Sequence, residues 1–276
     1  MSASLVGSEM CIRDRIYIDY ILIGIKEHMV YPSAIWARFL SRLLYLYLQF
    51  SIWNALFLSN SQTNLILNQE DTLKYIVVAT IVSSFMECNT TEWINTQIQS
   101  GNIVTELIRP IDFRKMVFSR HLGDTLVKIA FCCIPVSIIA MVIMPTHILY
   151  HTQFFLGVLS IILAYCIQFL YSLIIGLLSF WLIVTWPLNM FLGAVYKLLS
   201  GVWIPVTMFP DLLFKINQFL PFRAIYAIPV TILTQRMESQ TITAALTTQV
   251  IWILLLYFIT DFIWIIGKRK LIVQGG

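Results

Sequence analysis

Apolar residues run along this chain in long blocks, without the two-residue alternation of a half-buried strand. Six blocks, at approximately 37–58, 73–88, 125–144, 154–185, 188–206 and 247–266, are close to the ~20 residues that cross a bilayer as a helix. The second is short and runs into polar sequence. The fourth is long, and Trp186-Pro187 marks its end. Ahead of the first block, Ile18, Ile21, Leu22, Ile25 and Met29 follow the i, i+3, i+4 stripe of a helix, with Asp19, Lys26 and Glu27 off it. Residues 16–31 are therefore expected as an amphipathic helix on the membrane surface, or else as an early part of the first span. Pro32 breaks the pattern. Residues 207–246 are apolar but interrupted by Pro210, Pro221 and Pro229, just after Pro205. Short helices dipping back into the outer leaflet suit such a segment. Trp36, Tyr75, Tyr150, Trp186 and Trp203 stand near block ends, where interfacial anchors belong. The expected fold is an all-α membrane protein: six transmembrane helices, a preceding interfacial helix, and short re-entrant-like external helices between spans five and six.

Composition agrees with this pattern. Of 276 residues, 59% are hydrophobic and 12% charged, against about 25% charged in a soluble globular chain. Mean hydropathy is +0.82. Residues 16–276 read as one membrane domain. The first fifteen, MSASLVGSEMCIRDR, show no helical stripe and lack the apolar core of a signal peptide. They resemble a translated sequencing-adapter scar and are set aside as a non-native leader; if native, they form a short cytoplasmic tail. Cys11, Cys88, Cys132, Cys133 and Cys166 have neither CxxC nor zinc-ligand spacing and read as small apolar residues.

The net charge of +4 is no sign of nucleic acid, because the basic residues cluster beside apolar blocks. With the N-terminus inside, the cytoplasmic face receives Lys26, Arg38, Arg42, Arg109, Arg114, Lys115, Arg120, Lys128, Lys268, Arg269 and Lys270. The outer face receives Lys74, Lys215, Arg223 and Arg236. This asymmetry places both termini in the cytoplasm of a multi-pass inner-membrane protein, and the loop at 59–72 outside.

Catalytic motifs are missing from the sequence. There is no GxxxxGK[ST] phosphate loop, no HExxH and no GxSxG. His147 and His151 have the spacing of metal ligands on one helix face, but no third ligand accompanies them, and they read as interfacial histidines. Lys197 lies near the middle of the fifth block, where a charge is costly enough to suggest function. It is a candidate for the substrate path, pairing with Asp261 or Glu87, or a snorkelling side chain.

The cytoplasmic segment 89–124 is the most informative. Thr91 to Gln99 suits a helix with Glu92 in its first turn, and Gly101 suits a left-handed C′ position. Ile103 to Ile108 forms a second short apolar piece. Pro110 biases Arg109 toward extended backbone, and Asp112 caps a new helix entering the third span. The result is an elbow whose apolar Ile98, Ile103 and Leu107 suggest a surface that docks a soluble partner, with Glu106 and Arg109 the charges best placed to meet it.

The run Ile98-Gln99-Ser100-Gly101-Asn102-Ile103, followed by Leu107-Ile108-Arg109-Pro110-Ile111, resembles the cytoplasmic loop of type-2 ABC exporter permeases. Ser200-Gly201, Ile204-Pro205, Phe209-Pro210, Leu220-Pro221-Phe222 and the tail Val273-Gln274-Gly275-Gly276 resemble that family's fifth-span exit, external helices and C-terminus. The resemblance covers residues 16–276 in order. It implies a permease that pairs with a second copy or a related permease and takes its ATPase, with ATP and magnesium, from another chain. It also implies that the loop made of Gln99, Gly101, Ile103, Glu106, Leu107, Arg109 and Pro110 couples the two. A proton-driven secondary transporter and a membrane-embedded transferase are the alternatives. Lys197 with Asp261 is thin support for the first, and no cluster of intramembrane Asp, His or Glu favours the second.

Overall fold

The structure is a computed structural model that describes residues 2–59, 69–143, 153–182 and 185–274. The loop at 60–68, Tyr150, His147, His151 and Gly275-Gly276 lie outside the described residues, as does the side chain of Cys11. Helix is the only regular structure among the described residues. Three helical stretches are long and apolar enough to cross a membrane: Phe113–Val142, Gln153–Phe180 and Gln240–Lys270. A fourth is obtained if the pair Asp211–Gln218 and Phe222–Leu233, bent by 76°, counts as one broken span.

Helix α1 (Ser2–Met29) starts well before residue 16, since neither a proline nor a polar turn interrupts the leader. The chain breaks at Val30-Tyr31, and Pro32 opens α2 (Pro32–Ser59), where a proline's missing N–H costs nothing. The stripe residues Ile18, Leu22 and Met29 point away from the protein. The packed face of α1 carries Tyr20, Gly24 and His28 instead and lies along α6 (Phe113–Lys128). Gly24 and Gly123 permit this. A methyl on Gly24 would collide with the Arg120 carbonyl oxygen, and one on Gly123 with that of Ile21.

Helix α3 (Gln69–Met86) places Glu70 and Asp71 in its first turn, where carboxylates suit the helix dipole. Tyr75 is buried and donates to the Gly201 carbonyl oxygen at 2.9 Å, so it is a packing residue and not the interfacial anchor its position suggests. Trp36, Trp186 and Trp203 are exposed.

The elbow follows: α4 (Thr90–Gln99), α5 (Ile103–Ile108), then α6. Helix α6 passes through a π turn at Ile129–Cys133 into α7 (Ile134–Ile143). Pro135 explains the turn, because its ring would clash with the carbonyl of residue 131 in a regular helix. Helix α8 (Gln153–Leu177) tightens into a 3₁₀ turn and ends by Trp181, short of the expected residue 185. Trp186-Pro187 opens α9 (Trp186–Leu199) and does not close α8. Helix α9 stops before the expected residue 206, because Gly201 takes a left-handed φ of 89° and packs against the Tyr75 hydroxyl. The proline-broken segment after α9 folds as short helices α10 (Asp211–Gln218), α11 (Phe222–Ile225) and α12 (Ala227–Leu233). The last helix, α13 (Ser239–Gln274), packs on α8. There Gln249 binds the backbone oxygens of Ser160 and Ala224 at 3.1 and 2.8 Å.

The glycine contact between α1 and α6 is testable. Gly123→Leu should separate the helices and lower stability by about 1–3 kcal/mol, the usual cost of overpacking. Gly193→Ala is the control, because an added methyl there meets open space. Thermal unfolding of the purified protein, followed by size-exclusion chromatography, should show a loss for Gly123→Leu and none for Gly193→Ala. Equal midpoints would refute the close packing.

Candidate functional site

Two regions bring polar chemistry together: the elbow, and a polar zone behind it that runs into a cavity. In the elbow, α4 is fixed on α8. Ile94 is fully buried against Gly176, and the Thr91 hydroxyl donates to the Ser172 carbonyl oxygen at 2.9 Å. The chain then turns at Gly101, whose φ is 73°. Its N–H donates to the Ile98 carbonyl oxygen at 3.2 Å, and Ser100 N–H to that of Thr96 at 3.0 Å. Arg109 is extended, at φ −68° and ψ 138°, as the following proline dictates. Asp112 accepts from the Arg114 N–H at 2.9 Å and caps α6. Burial works against ionisation of Asp112, but the hydrogen bonds and charge of Arg114 outweigh it and hold the carboxyl below its ordinary range.

Ile103 is completely buried, and Ile98 and Leu107 pack against the same core. They hold the elbow to the protein, so their apolar character is no sign of a docking surface. The apolar residues that do face outward are Val104, 49% exposed, and Ile108, 78% exposed. Gln99, Gly101 and Pro110 are exposed as well. Glu106 and Arg109 pair with each other at 3.2 Å. Both also engage Tyr20 of α1, whose hydroxyl donates to Glu106 at 3.1 Å and accepts from Arg109. Burial, and then the Glu106 carboxylate, raise the Tyr20 phenol above its ordinary value, with Arg109 pulling the other way. Glu106 is thus largely committed to the chain itself, while Arg109 keeps an exposed edge.

Ring stacking carries the elbow into the helical body. Trp93 of α4 stacks on Phe113 of α6 (centroids 6.3 Å apart), and Phe113 stacks on Trp264 of α13 (4.8 Å). Arg120 lies over the Trp93 ring at 4.3 Å. Arg114 binds Asp261 of α13 at 2.6 Å, which settles the partner of Asp261.

Behind the elbow, Asp124, His121 and Lys128 share one face of α6. Lys128 is 3% exposed and reaches Asp124 at 2.7 Å and the Glu87 carbonyl oxygen at 2.5 Å. His28 of α1 pairs with the other Asp124 oxygen. His121 stacks on Tyr165 and lies 3.7 Å from the Cys88 sulfur. The Glu87 carboxylate meets Arg42 of α2 at 2.6 Å. Read for net charge, Lys128 and Arg120 counted only as orientation signals. The spacing of 121, 124 and 128, one polar face at helical period running into the third apolar block, was the available sign of this cluster.

Glu87 also borders a cavity of about 600 Å³ between α2, α3, α8 and α9, lined among others by Arg42, Gln168, Asn189, Tyr226 and Lys197. Lys197 lies in the last turn of α9. Its two expected partners are taken, Asp261 by Arg114 and Glu87 by Arg42, and it forms no ion pair among the described residues.

No curated protein matches the chain. A family model described as ABC-2 family transporter protein matches residues 43–275, which takes in the elbow, the polar cluster on α6 and Lys197. With so much of its length matched, and with its apolar helices and the elbow in the matched part, the chain belongs to the ABC-2 transporter family, as the membrane-embedded permease component of an ABC transporter.

Proposed function

We propose that this permease works as an exporter in the inner membrane, with α2, α3, α6–α7, α8, α9 and α13 as six spans and α1 as an interfacial helix. Residues 16–276 form its single permease domain, and residues 1–15 stand outside it. Both termini are cytoplasmic. The charged pairs support this sidedness. Arg42–Glu87, Arg120–Glu27 and Arg114–Asp261 join basic residues of the set assigned inside, while Lys74–Glu70 and Arg236 over Tyr75 gather at the opposite end of α3. Helix α2, at 28 residues, is about 42 Å long and exceeds the ~30 Å hydrocarbon core despite its polar positions. Helix α9, with 14 residues, falls short alone. It completes a crossing with the turns that follow it to Pro205, in which Gly201 and Pro205 are buried and Trp203 and Ile204 face outward.

ATP and magnesium bind a separate ATPase subunit, and two permease chains assemble with two such subunits. The observation that carries this reading is the elbow. Its inner side is pinned by Ile103, Ile94 and the Trp93–Phe113–Trp264 stack, and its outer side offers Val104, Ile108 and Arg109. A piece held rigidly to α8 and α13 transmits a push from a soluble partner into the bilayer, provided that its contacts differ between two states.

Tags near Asp19 and after Gln274 are expected to be shielded from protease in intact cells, and a tag near Glu238 to be cut. Cleavage of the C-terminal tag from outside would sink the topology. For the elbow, Ile108→Asp should leave insertion and dimerisation intact and reduce co-purification of the ATPase by roughly tenfold, as loss of an apolar anchor does. Gly101→Val, which forces a side chain into the left-handed region at about 1–2 kcal/mol, should uncouple ATP hydrolysis from export in liposomes. Normal recruitment and coupling in both variants would show the elbow to be an ordinary solvated loop.

A further inference from the structure

The cavity beside Lys197 has a lining whose chemistry selects a ligand. Its charged residues are Arg42, Glu87 and Lys197. Arg42 and Glu87 neutralise each other at 2.6 Å, so the lining keeps one positive charge in excess, on Lys197. Across the cavity, Gln168 on α8 is only 6% exposed, and its Oε1 has no hydrogen-bond partner among the described residues. Its Nε2 makes one long contact, 3.5 Å, to the Ser172 hydroxyl. Tyr45, Tyr171 and Tyr226 add ring faces to the same walls.

A buried amide oxygen without a donor is unfavourable, and the exposed Lys197 has only a share in Glu87, whose carboxylate also serves Arg42 and Lys128; one occupant answers both groups. An organic cation would be repelled by Lys197 and would find Glu87 already occupied. A wholly apolar ligand would leave both groups unsatisfied. We infer that this cavity binds an organic anion, phosphate or carboxylate, that carries hydroxyl donors and an apolar portion. The anion pairs with Lys197, a hydroxyl donates to Gln168 Oε1, and the apolar portion lies on the tyrosine rings. The inference rests on the transport reading above and adds a substrate class to it. Such an anion is available as a lipid headgroup or as a free solute.

The test uses the full-length protein without any ATPase, so that its outcome is independent of transport. Native mass spectrometry would compare phosphatidylglycerol with phosphatidylcholine retained on the purified protein, and calorimetry would titrate glycerol 3-phosphate against glycerol. The anionic probe should be preferred in at least one arm. Retention of phosphatidylglycerol assigns the lipid source, and binding of glycerol 3-phosphate the solute source. Lys197→Met should weaken the preferred anion about tenfold or more, and Lys197→Arg should keep most of the binding. Gln168→Glu leaves Lys197 in place but puts a negative charge opposite it, and should weaken the anion by a similar factor. Thermal midpoints and oligomeric state, measured in parallel, separate these effects from misfolding. No anion preference in either arm, or a preference unchanged in both Lys197→Met and Gln168→Glu, overturns the inference and leaves the permease assignment standing. So does a Lys197→Met protein that loses its dimer but keeps its anion preference, because Lys197 then serves the contact between copies. Intact anion binding with failed ATP-driven transport would count against the transport reading alone.

Discussion

Asp124 brings a carboxylate into the place where four helices meet, and it can stay there only if it is paired. Withdrawing a carboxylate or an ammonium from water costs several kcal/mol for each ion, and removing one partner of a buried pair typically costs about 3–5 kcal/mol. Lys128, one turn along the same helix, supplies the first partner at 2.7 Å. Its remaining reach goes to the Glu87 carbonyl oxygen just past the C-terminus of α3, an end where positive charge is favoured. Glu87 in turn holds Arg42 of α2. The second Asp124 oxygen takes His28 of α1. Helices α1, α2 and α3 are thereby positioned against α6 by one connected set of charges. The glycines at 24 and 123 let α1 come close enough for His28 to reach.

The elbow extends the same logic. Its charges are satisfied within the chain, Glu106 and Arg109 by each other and by Tyr20. Its apolar side chains divide between those that anchor it and those left outside. A short segment so constrained has few internal degrees of freedom, so displacement at Ile108 has little to deform before it reaches α8 and α13. Helix α1 is tied into the same point through Tyr20. Movement of the elbow therefore also loads a helix that sequence pattern presents as a separate membrane-surface element.

The apolar blocks, the cap at Asp112, the left-handed Gly101 and the extended Arg109 were legible because each depends on local backbone chemistry. The elbow's outward face was not. Helical period alone does not say which of Ile98, Ile103, Leu107, Val104 and Ile108 meets the body, and tertiary packing chose the first three for the inside. The apolar stripe of α1 misled in the same direction, since the face that packs is marked by Tyr20, Gly24 and His28. The ends of the fourth and fifth apolar blocks were displaced because Trp186-Pro187 opens a helix as readily as it closes one. The partner of Asp261 was out of reach of sequence, because Arg114 lies 147 positions away.

The π turn at Ile129–Cys133 decides what the upper half of that helix presents to its neighbours. Twelve regular α-helical steps from Lys128 would bring Ala140 round to about 120° from it. A single wide turn takes out roughly one residue of rotation, about 100°, and returns Ala140 almost to the azimuth of Lys128. Cys132, Val136 and Ala140 then continue inward as a narrow seam, and Val136 and Ala140 close against Leu46 and Val77. The helix is in effect geared: its polar half meshes with α1 and the end of α3, its apolar half with α2 and α3, though their sequence phases differ. Insertions or deletions of one residue between Lys128 and Val136 would slip that gear without altering composition. The spacing of this stretch is therefore under tighter constraint than the identity of the residues within it.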